Sequence, residues 1–472
     1  MEKSFRVVIV GAGPTGLALG NMLAAAHIDF VILERHDRVV TESGACIMLW
    51  PHSTRVLDQL GFLNAAAAES LGLHSKSTID PLGQQQSEYP TFQWIGENHG
   101  YPTLHLPRTR LIKLLYDGLG DHRAKIKVSS LISAIHANEN GVRVTLSDGS
   151  METGSIVIGC DGVHSHVRDY SEYHWLPSIE IIVGIEVCSY VVHLKTRLLY
   201  IAYCYVLTDR SLLVNSIAKA DGIPFETSPQ VTQFECLFGT ASPIPGLQRG
   251  VFWESHGPGM VTQFGTSDKI AAFSLFRTLG ETTAEGNRAY DTDSVPRFFK
   301  EHGESFIAPG FQIRDLQKHC TWTRLARQPE GSAKLWYHGR IVLCGESTVQ
   351  MSSVMGMGFN AALQSAVCLA NSLYEVTQTS PNPTVDVITG IFRDYQQRRE
   401  TETVEIKDVS ANYIRAMTSS SWLTMMVIKY LLPWVWGEKS MMKKLGTESI
   451  SQGRTLSFIP YQDRHGLIPW RS

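Results

Sequence analysis

The chain of 472 residues is 43% hydrophobic and 18% charged, with a formal net charge of −3. This length predicts two or three domains with a sizeable core, and the composition excludes a chain that is disordered throughout. The small negative charge argues against a nucleic-acid partner, which normally leaves a basic surface. The eight cysteines form no C-x-x-C pair; this argues against a zinc or iron–sulfur centre and is typical of free thiols in a reducing compartment.

The amino-terminal segment predicts a dinucleotide site. Phe5–Val10 is a continuous apolar run, typical of a buried parallel strand. Gly11, Gly13 and Gly16 follow in the spacing G-x-G-x-x-G: the first permits a tight turn, the second lets a pyrophosphate approach the backbone, and the third lets the helix pack on the strand. Glu34 ends the second strand and could accept hydrogen bonds from ribose hydroxyls, so we expect FAD or NAD rather than a 2′-phosphorylated nucleotide.

Three later segments carry further candidate residues. "LPRTRLIKLLYDGL" contains Arg108, "GCDGVHSHVR" contains Asp161 and Gly162, and "GESTVQMSSVMGMGFN" runs from Gly345 to Asn360. In this order, and together with the amino-terminal motif, they resemble the motifs of the single-component FAD-dependent monooxygenases typified by the aromatic hydroxylases.

The resemblance implies a resident FAD and a set of residues around it. Arg108 would lie near the flavin, and Asp161 and Gly162 would support the FAD pyrophosphate and a surface for a transient NAD(P)H, since no second glycine fingerprint is present. The resemblance further implies cofactor contacts at Met48, Glu346, Gly356, Gly358, Phe359 and Asn360. The family's chemistry uses a flavin C4a-hydroperoxide, whose distal oxygen is attacked by an alkene or an electron-rich ring.

A narrower resemblance indicates a substrate class. "FGTASPIPGLQRG", "YQQRRETETVEIKDVS" and "LSFIP" are similar to segments of the fungal epoxidases of meroterpenoid and indole-diterpene pathways. This resemblance implies epoxidation of a farnesyl-type double bond in an apolar intermediate of terpenoid secondary metabolism. Aromatic-ring hydroxylation stays open, because the FAD motifs do not separate the two reactions.

Several positions depart from the family's pattern. Glu346 replaces an aspartate, Ser353 a proline and Phe359 a small residue, while Met48 replaces a glycine and Phe234 a tyrosine. Phe359 is the largest change, because a bulky side chain could clash with the flavin ring. A second hypothesis is therefore a degenerate, non-catalytic flavoprotein.

The predicted fold class is α/β, with a Rossmann-like FAD-binding domain interleaved with a β-sheet substrate domain and followed by a helical C-terminal region. The ranges assigned to the FAD-binding domain are 1–75, 106–168 and 291–378. Those assigned to the substrate domain are 76–105 and 175–290, and the C-terminal region is 385–472. No metal site is predicted, and the oligomeric state is not visible in the sequence.

Two segments are unusual. Residues 170–213 form an insertion that is atypical for the family's pattern, and we expect it either to face a membrane or to derive from intron sequence. Residues 422–436, "WLTMMVIKYLLPWVW", form either a helix at a membrane interface or a buried C-terminal helix. Because no signal peptide precedes the first strand, we expect an intracellular protein that associates with a membrane through this apolar helix.

Overall fold

The computed structural model describes residues 5–41, 44–163, 165–168, 231–283, 290–421 and 438–471. The predicted insertion 170–213 and the apolar segment 422–436 lie outside these residues. Within them, no helix is both long and apolar enough to cross a membrane. The 33-residue helix Val385–Met417 carries charged side chains along its length. The described helices Glu438–Lys443 and Thr447–Ser451, further along the chain, have one or two turns. This finding corrects the predicted membrane association through a C-terminal apolar helix.

A six-stranded sheet is built around the first strand, Arg6–Val10. Alternate residues of this strand enter two different cores, because Val7 and Ile9 pack on one face and Val8 and Val10 on the other. Such two-sided burial explains the continuous apolar run of the strand. The strand order is Tyr337–His338, Ile341–Leu343, Ile156–Gly159, Arg6–Val10, Asp29–Leu33 and Ile126–Lys127, and only the first of these pairs antiparallel.

An eight-stranded sheet forms the second layer of the fold. Its strands, in spatial order, are Val349–Gln350, Cys320–Ser332, Val231–Ala241, Ala271–Thr283, Met260–Thr266, Val251–Gly257, Ser75–Ile79 and Gln85–Tyr89. One face is covered by the helices Ser294–His302 and Ile313–Gln317. The other face packs against Val354 and against the helix Val385–Met417. This arrangement places the second face opposite the segment Gly345–Asn360.

Smaller sheets and further helices complete the described fold. Two small sheets have two strands each: Cys46–Leu49 pairs with Leu104–Pro107, and Phe306–Ala308 pairs with Phe311–Gln312. A three-stranded sheet contains Met151–Gly154, Gly141–Leu146 and Ile132–Asn138, in that spatial order. The other helices are Pro14–Ala25, Pro51–Gln59, Leu63–Ala68, Thr91–His99, Arg108–Gly118 and Gly358–Thr379, with 3₁₀ turns at Gly120–Lys125, Gly345–Ser347 and Ser353–Met355. These elements confirm the α/β class, whereas the predicted domain boundaries stay a prediction.

The C-terminal residues fold back onto the nucleotide-binding part. Arg55, in the helix Pro51–Gln59, forms a 2.6 Å ion pair with Asp463 and donates a hydrogen bond to the Gly453 carbonyl at 2.9 Å. Arg399 is buried and donates to the Ala361 carbonyl at 3.1 Å. The C-terminal region therefore contacts two helices of the nucleotide-binding part, Pro51–Gln59 and Gly358–Thr379, the second of which carries Gly358, Phe359 and Asn360.

Candidate functional site

A cleft opens at the carboxyl edge of the six-stranded sheet, with about 850 Å³ of empty space including its mouth. The sheet topology brings this edge together, since Cys160 N–H donates to the Val10 carbonyl and Cys344 N–H to the Gly159 carbonyl, each at 2.8 Å. The predicted residues that line the cleft are Gly11, Gly13, Glu34, Arg108, Asp161, Gly162 and Glu346. Segments more than 300 positions apart in the sequence thus meet in one site.

The three glycines of the amino-terminal motif have different surroundings. Gly11 has a φ of +100°, and a Cβ there would lie 2.7 Å from the Cys160 carbonyl oxygen. A Cβ on Gly16 would lie 1.9 Å from the Gly11 carbonyl oxygen. A Cβ on Gly13 would meet nothing within 4 Å, because this residue faces open space at the start of the helix Pro14–Ala25. Two glycines therefore serve chain packing, while Gly13 leaves room for an anion at a helix N-terminus.

Glu34 lies at the adenosine end expected for the cleft, and is 8% exposed. Its Oε2 accepts a 2.8 Å hydrogen bond from the Ala12 N–H, and its Oε1 accepts one of 2.9 Å from the His36 N–H. Each carboxylate oxygen has a second lone pair. The backbone contacts fix the orientation of the carboxylate and leave acceptor capacity for ribose hydroxyls.

Arg108 and Glu346 lie near each other in the cleft, and each affects the pKa of the other. Burial lowers the pKa of Arg108, and Glu346 and Glu34 oppose that shift. The Glu346 side chain is accessible through the cleft but is surrounded by protein, and this desolvation raises its pKa while Arg108 acts against the rise. Its Oε1 lies 3.3 Å from the Cβ position of Gly358, and its Oε2 lies 3.9 Å from that of Gly162. The Glu346 side chain, one methylene longer than the aspartate of the family's pattern, thus reaches from the 3₁₀ turn Gly345–Ser347 toward the N-terminus of the helix Gly358–Thr379.

Asp161 organises the turn that follows its strand. Its two oxygens accept hydrogen bonds from Ser165 Oγ at 2.6 Å and from Val167 N–H at 3.0 Å. Burial raises the pKa of Asp161, against the effect of these hydrogen bonds. Arg168, which the sequence did not single out, donates to the carbonyls of Val163 at 3.0 Å and Ser347 at 3.2 Å. Its place at the end of the motif "GCDGVHSHVR" is the signal that could have found it.

The structure does not bring the remaining predicted residues to the lining of this cleft. Asn360 is fully buried; it donates to the carbonyls of Met48 at 2.8 Å and Gly356 at 2.7 Å and accepts from Trp50 N–H at 2.9 Å. Gly356 has a φ of +62°, and a Cβ there would lie 2.8 Å from Met48 Cβ. Phe359 is half-buried and packs against the core that contains the first strand. Asn360 and Gly356 therefore join the strand Cys46–Leu49 to the start of the long helix, and Phe359 turns toward the protein core.

These surroundings fit a dinucleotide. The open space at Gly13, the oriented carboxylate of Glu34 and the guanidinium of Arg108 provide, in one cleft, sites for phosphates, ribose hydroxyls and a polar ring edge.

Comparison with known proteins agrees with this geometry. Residues 4–191 and 283–387 match the FAD binding domain family. The FAD-dependent monooxygenase srdH of Neurospora crassa is 30% identical over 99% of this chain and 98% of its own length. The chain belongs to the FAD-dependent monooxygenases. FAD is therefore the cofactor of this monooxygenase, and its predicted membership of the flavin monooxygenases is confirmed.

Other relatives and solved structures extend the comparison. The FAD-dependent monooxygenase penE of Penicillium thymicola is 26% identical, with 98% of this chain and 90% of penE covered. The structure of p-nitrophenol 4-monooxygenase PnpA from Pseudomonas putida aligns with a TM-score of 0.69 at 16% identity, covering 95% of this chain and 99% of PnpA. HpxO of Klebsiella pneumoniae, in complex with FAD and uric acid, aligns with a TM-score of 0.66 at 16% identity and covers 95% of both chains. At these identities the two structures show a shared fold.

Proposed function

We propose that this monooxygenase uses NAD(P)H and O2 to epoxidise a double bond of a farnesyl-type prenyl chain, on an apolar intermediate of fungal meroterpenoid biosynthesis. The observation that carries the proposal is an apolar cluster between the eight-stranded sheet, the strand Cys46–Leu49 and the helix Thr91–His99. Its buried members include Leu73 and Phe92, and Met48, Phe252 and Met355 pack against them. The half-buried side chains at the edge of this cluster would exclude water and would suit a flexible hydrocarbon chain.

The cluster lies beside the segment Gly345–Asn360, which carries predicted flavin-binding residues. Met48 contributes both its backbone carbonyl to Asn360 and its side chain to the cluster. Phe92 and Phe252 meet edge to face, with ring centroids 6.0 Å apart. An apolar surface next to these segments suits a substrate whose reacting group is itself a hydrocarbon.

One polar side chain stands out within this apolar region. His105 is 5% exposed, its ring lies 4.7 Å from that of Phe92, and neither ring nitrogen has a hydrogen-bond partner within the described residues. Burial lowers its pKa to about 3, so the imidazole is neutral. A neutral imidazole can donate or accept one hydrogen bond, and would suit a hydroxyl or carbonyl on a mainly apolar substrate.

The residues of the cleft have assigned roles in this proposal. Gly11 and Gly13, with the helix Pro14–Ala25, would hold the FAD pyrophosphate, and Glu34 the adenosine ribose. Arg108 and Glu346 would hold the middle of the cofactor, with Asp161 and Gly162 supporting it and a transient NAD(P)H. Bound flavin, reduced by NAD(P)H, would allow one oxygen atom of O2 to be transferred to an electron-rich double bond while the other leaves as water. The protein then has to exclude water and orient the alkene, which requires no protein nucleophile.

The test compares two matched substrates. Purified enzyme with NADPH, or with NADH, is incubated with a farnesylated phenol and with the same phenol carrying the fully hydrogenated chain. We expect a product heavier by one oxygen atom from the first substrate and none from the second. Oxygenation of the saturated compound would establish ring hydroxylation instead, and absence of product from every unsaturated prenyl compound would refute epoxidation.

A further inference from the structure

The turn Ser353–Met355 is held by side chains from both layers of the fold. Ser353 donates from its backbone N–H at 3.2 Å and from its Oγ at 2.7 Å to Gln328 Oε1. The Val354 carbonyl accepts a 2.8 Å hydrogen bond from Gln263 Nε2, and the Met355 carbonyl accepts one of 3.3 Å from Trp50 Nε1. Gln328 and Gln263 belong to the eight-stranded sheet, whereas Trp50 precedes a helix of the nucleotide-binding part.

Gln263 is itself held by a buried carboxylate. Its Nε2 also donates to Glu254 Oε2 at 2.8 Å, so both amide hydrogens are used. Glu254 is 1% exposed, and its Oε1 contacts Lys76 Nζ at 2.7 Å, His256 Nε2 at 2.7 Å and Tyr413 Oη at 2.5 Å. Burial would raise the pKa of Glu254, but the Lys76 ammonium and His256 outweigh it and hold the pKa well below its usual range.

The network therefore contains an ionised carboxylate that joins three elements. Glu254 and Gln263 are register partners on adjacent strands, Lys76 comes from the neighbouring strand Ser75–Ile79, and Tyr413 comes from the helix Val385–Met417. Removing one member of this network leaves a buried charged or polar group without its partner. The positions of Glu254, Lys76, Tyr413 and Gln263 therefore depend on one another. Among the described members of this network, Gln263 is the one that donates a hydrogen bond to a backbone atom of the turn that precedes Gly356.

We propose that Glu254 is a positioning residue: with Lys76, His256 and Tyr413 it orients the Gln263 amide, and thereby fixes the turn Ser353–Met355 against the sheet. The turn leads directly into Gly356 and the helix Gly358–Thr379, whose N-terminus faces Glu346 in the FAD cleft. A turn that moves away from the sheet shifts this helix start, and with it the seat of the cofactor relative to the apolar cluster.

A second buried carboxylate in the same sheet provides a matched control. Glu235 is 2% exposed and contacts Arg277 Nε and Tyr290 Oη, each at 2.5 Å. It therefore resembles Glu254 in having a cation and a tyrosine as partners. Its network reaches the helix Ser294–His302 through His302 and Glu301, on the opposite side of the sheet from the turn.

The experiment compares three variants of the full chain. Glu254→Gln removes the charge, Gln263→Met removes the donor to the Val354 carbonyl at similar volume, and Glu235→Gln is the control. We expect urea unfolding of the apoprotein to show comparable losses of stability for Glu254→Gln and Glu235→Gln. The FAD dissociation constant should rise about tenfold, as for the loss of one buried hydrogen bond, in Glu254→Gln and Gln263→Met only. The visible circular dichroism of bound FAD should change in the same two variants.

A second readout rests on the proposed function. With a farnesylated phenol as substrate, the share of NAD(P)H electrons that reduce O2 to H2O2 should rise in the same two variants. If no substrate is found, the FAD affinity and the circular dichroism still decide the inference. Unchanged FAD affinity and spectra in Gln263→Met, or equal changes in Glu235→Gln, would overturn it, whether or not Glu254→Gln folds.

Discussion

The substitution Gly13→Ala should weaken FAD binding while leaving the stability of the fold almost unchanged. The residue has φ −70° and ψ 178°, a conformation open to any amino acid, and its Cβ would meet nothing within 4 Å. At Gly16 the same methyl group would lie 1.9 Å from the Gly11 carbonyl oxygen and 3.1 Å from its carbon. Gly13→Ala and Gly16→Ala thus add the same atom, either to the open cleft or into the backbone.

The expected magnitudes follow from these contacts. Gly13→Ala should change the free energy of unfolding of the apoprotein by at most about 1 kcal/mol, because the loss of chain entropy in the unfolded state roughly offsets a poorer N-cap. Gly16→Ala requires the backbone to move by about 1 Å, and should cost about 3 kcal/mol or more. If the pyrophosphate approaches Gly13, losing two charge-assisted hydrogen bonds should raise the FAD dissociation constant by about 100-fold or more.

The assay measures two quantities for each variant: urea unfolding of the apoprotein, and FAD affinity from quenching of flavin fluorescence. Gly390→Ala is the control, since a Cβ there also meets nothing within 4 Å but lies in the helix Val385–Met417, away from the cleft. It should leave the FAD affinity unchanged. Wild-type FAD affinity in Gly13→Ala would refute the placement of the pyrophosphate, and a wild-type stability of Gly16→Ala would refute the packing argument.

Three further outcomes are expected. Glu346→Asp keeps a carboxyl group near Arg108, so the FAD dissociation constant from fluorescence titration should stay within about threefold of wild type; a loss of binding would show that the longer side chain is required. Asn360→Ala removes the hydrogen-bond partner of the Trp50 N–H and of the Met48 and Gly356 carbonyls. The free energy of unfolding in urea should therefore fall by about 2–4 kcal/mol, and unchanged stability would contradict the role inferred for this amide. Burial lowers the pKa values of His52 and His105 to about 3, so the unfolded chain binds two protons that the folded protein does not between about pH 6 and pH 4. Stability from urea unfolding should then fall as the pH falls through this window, by about 2.7 kcal/mol per pH unit from these two groups, and His105→Leu should halve that contribution.

The nucleotide-binding part was predictable from the sequence because local pattern and long-range structure agree there. A strand buried on both faces must be apolar throughout, and the turn after it needs glycine at Gly11 and Gly16 for reasons that a few neighbouring atoms decide. The convergence of Arg108, Asp161 and Glu346 on the same cleft was predicted from the family's order of motifs. Composition and periodicity alone contain no information on that convergence.

The polar network around Glu254 could not be predicted in the same way. Its members are 76, 254, 256, 263 and 413 in the sequence, and no periodicity links them. Side-chain contacts of this kind depend on which face of a strand meets which helix, and a shift of one residue in strand register exchanges the faces. The backbone partners of Asn360, which belong to Met48, Trp50 and Gly356, were likewise not visible in the sequence, and its contact with the cofactor stays a prediction.

The substitutions in the segment Gly345–Asn360, relative to the family's pattern, affect different interactions: hydrogen bonding at Ser353, the carboxyl position at Glu346 and packing at Phe359. Ser353, where the family has proline, loses a restriction on the backbone but gains two hydrogen bonds to Gln328, and each such bond is worth about 1 kcal/mol, similar to the effect of a proline in a compatible turn. Glu346 keeps a carboxyl group near Arg108, which acts against the rise that burial causes in the pKa of that carboxyl. Phe359 is half-buried, packs against the core and does not line the cleft. Each substitution has a local compensation within the described residues. The hypothesis of a degenerate flavoprotein was based on these substitutions and on the predicted insertion at 170–213, which lies outside the described residues. The local compensations weaken the part of the hypothesis that rests on the substitutions.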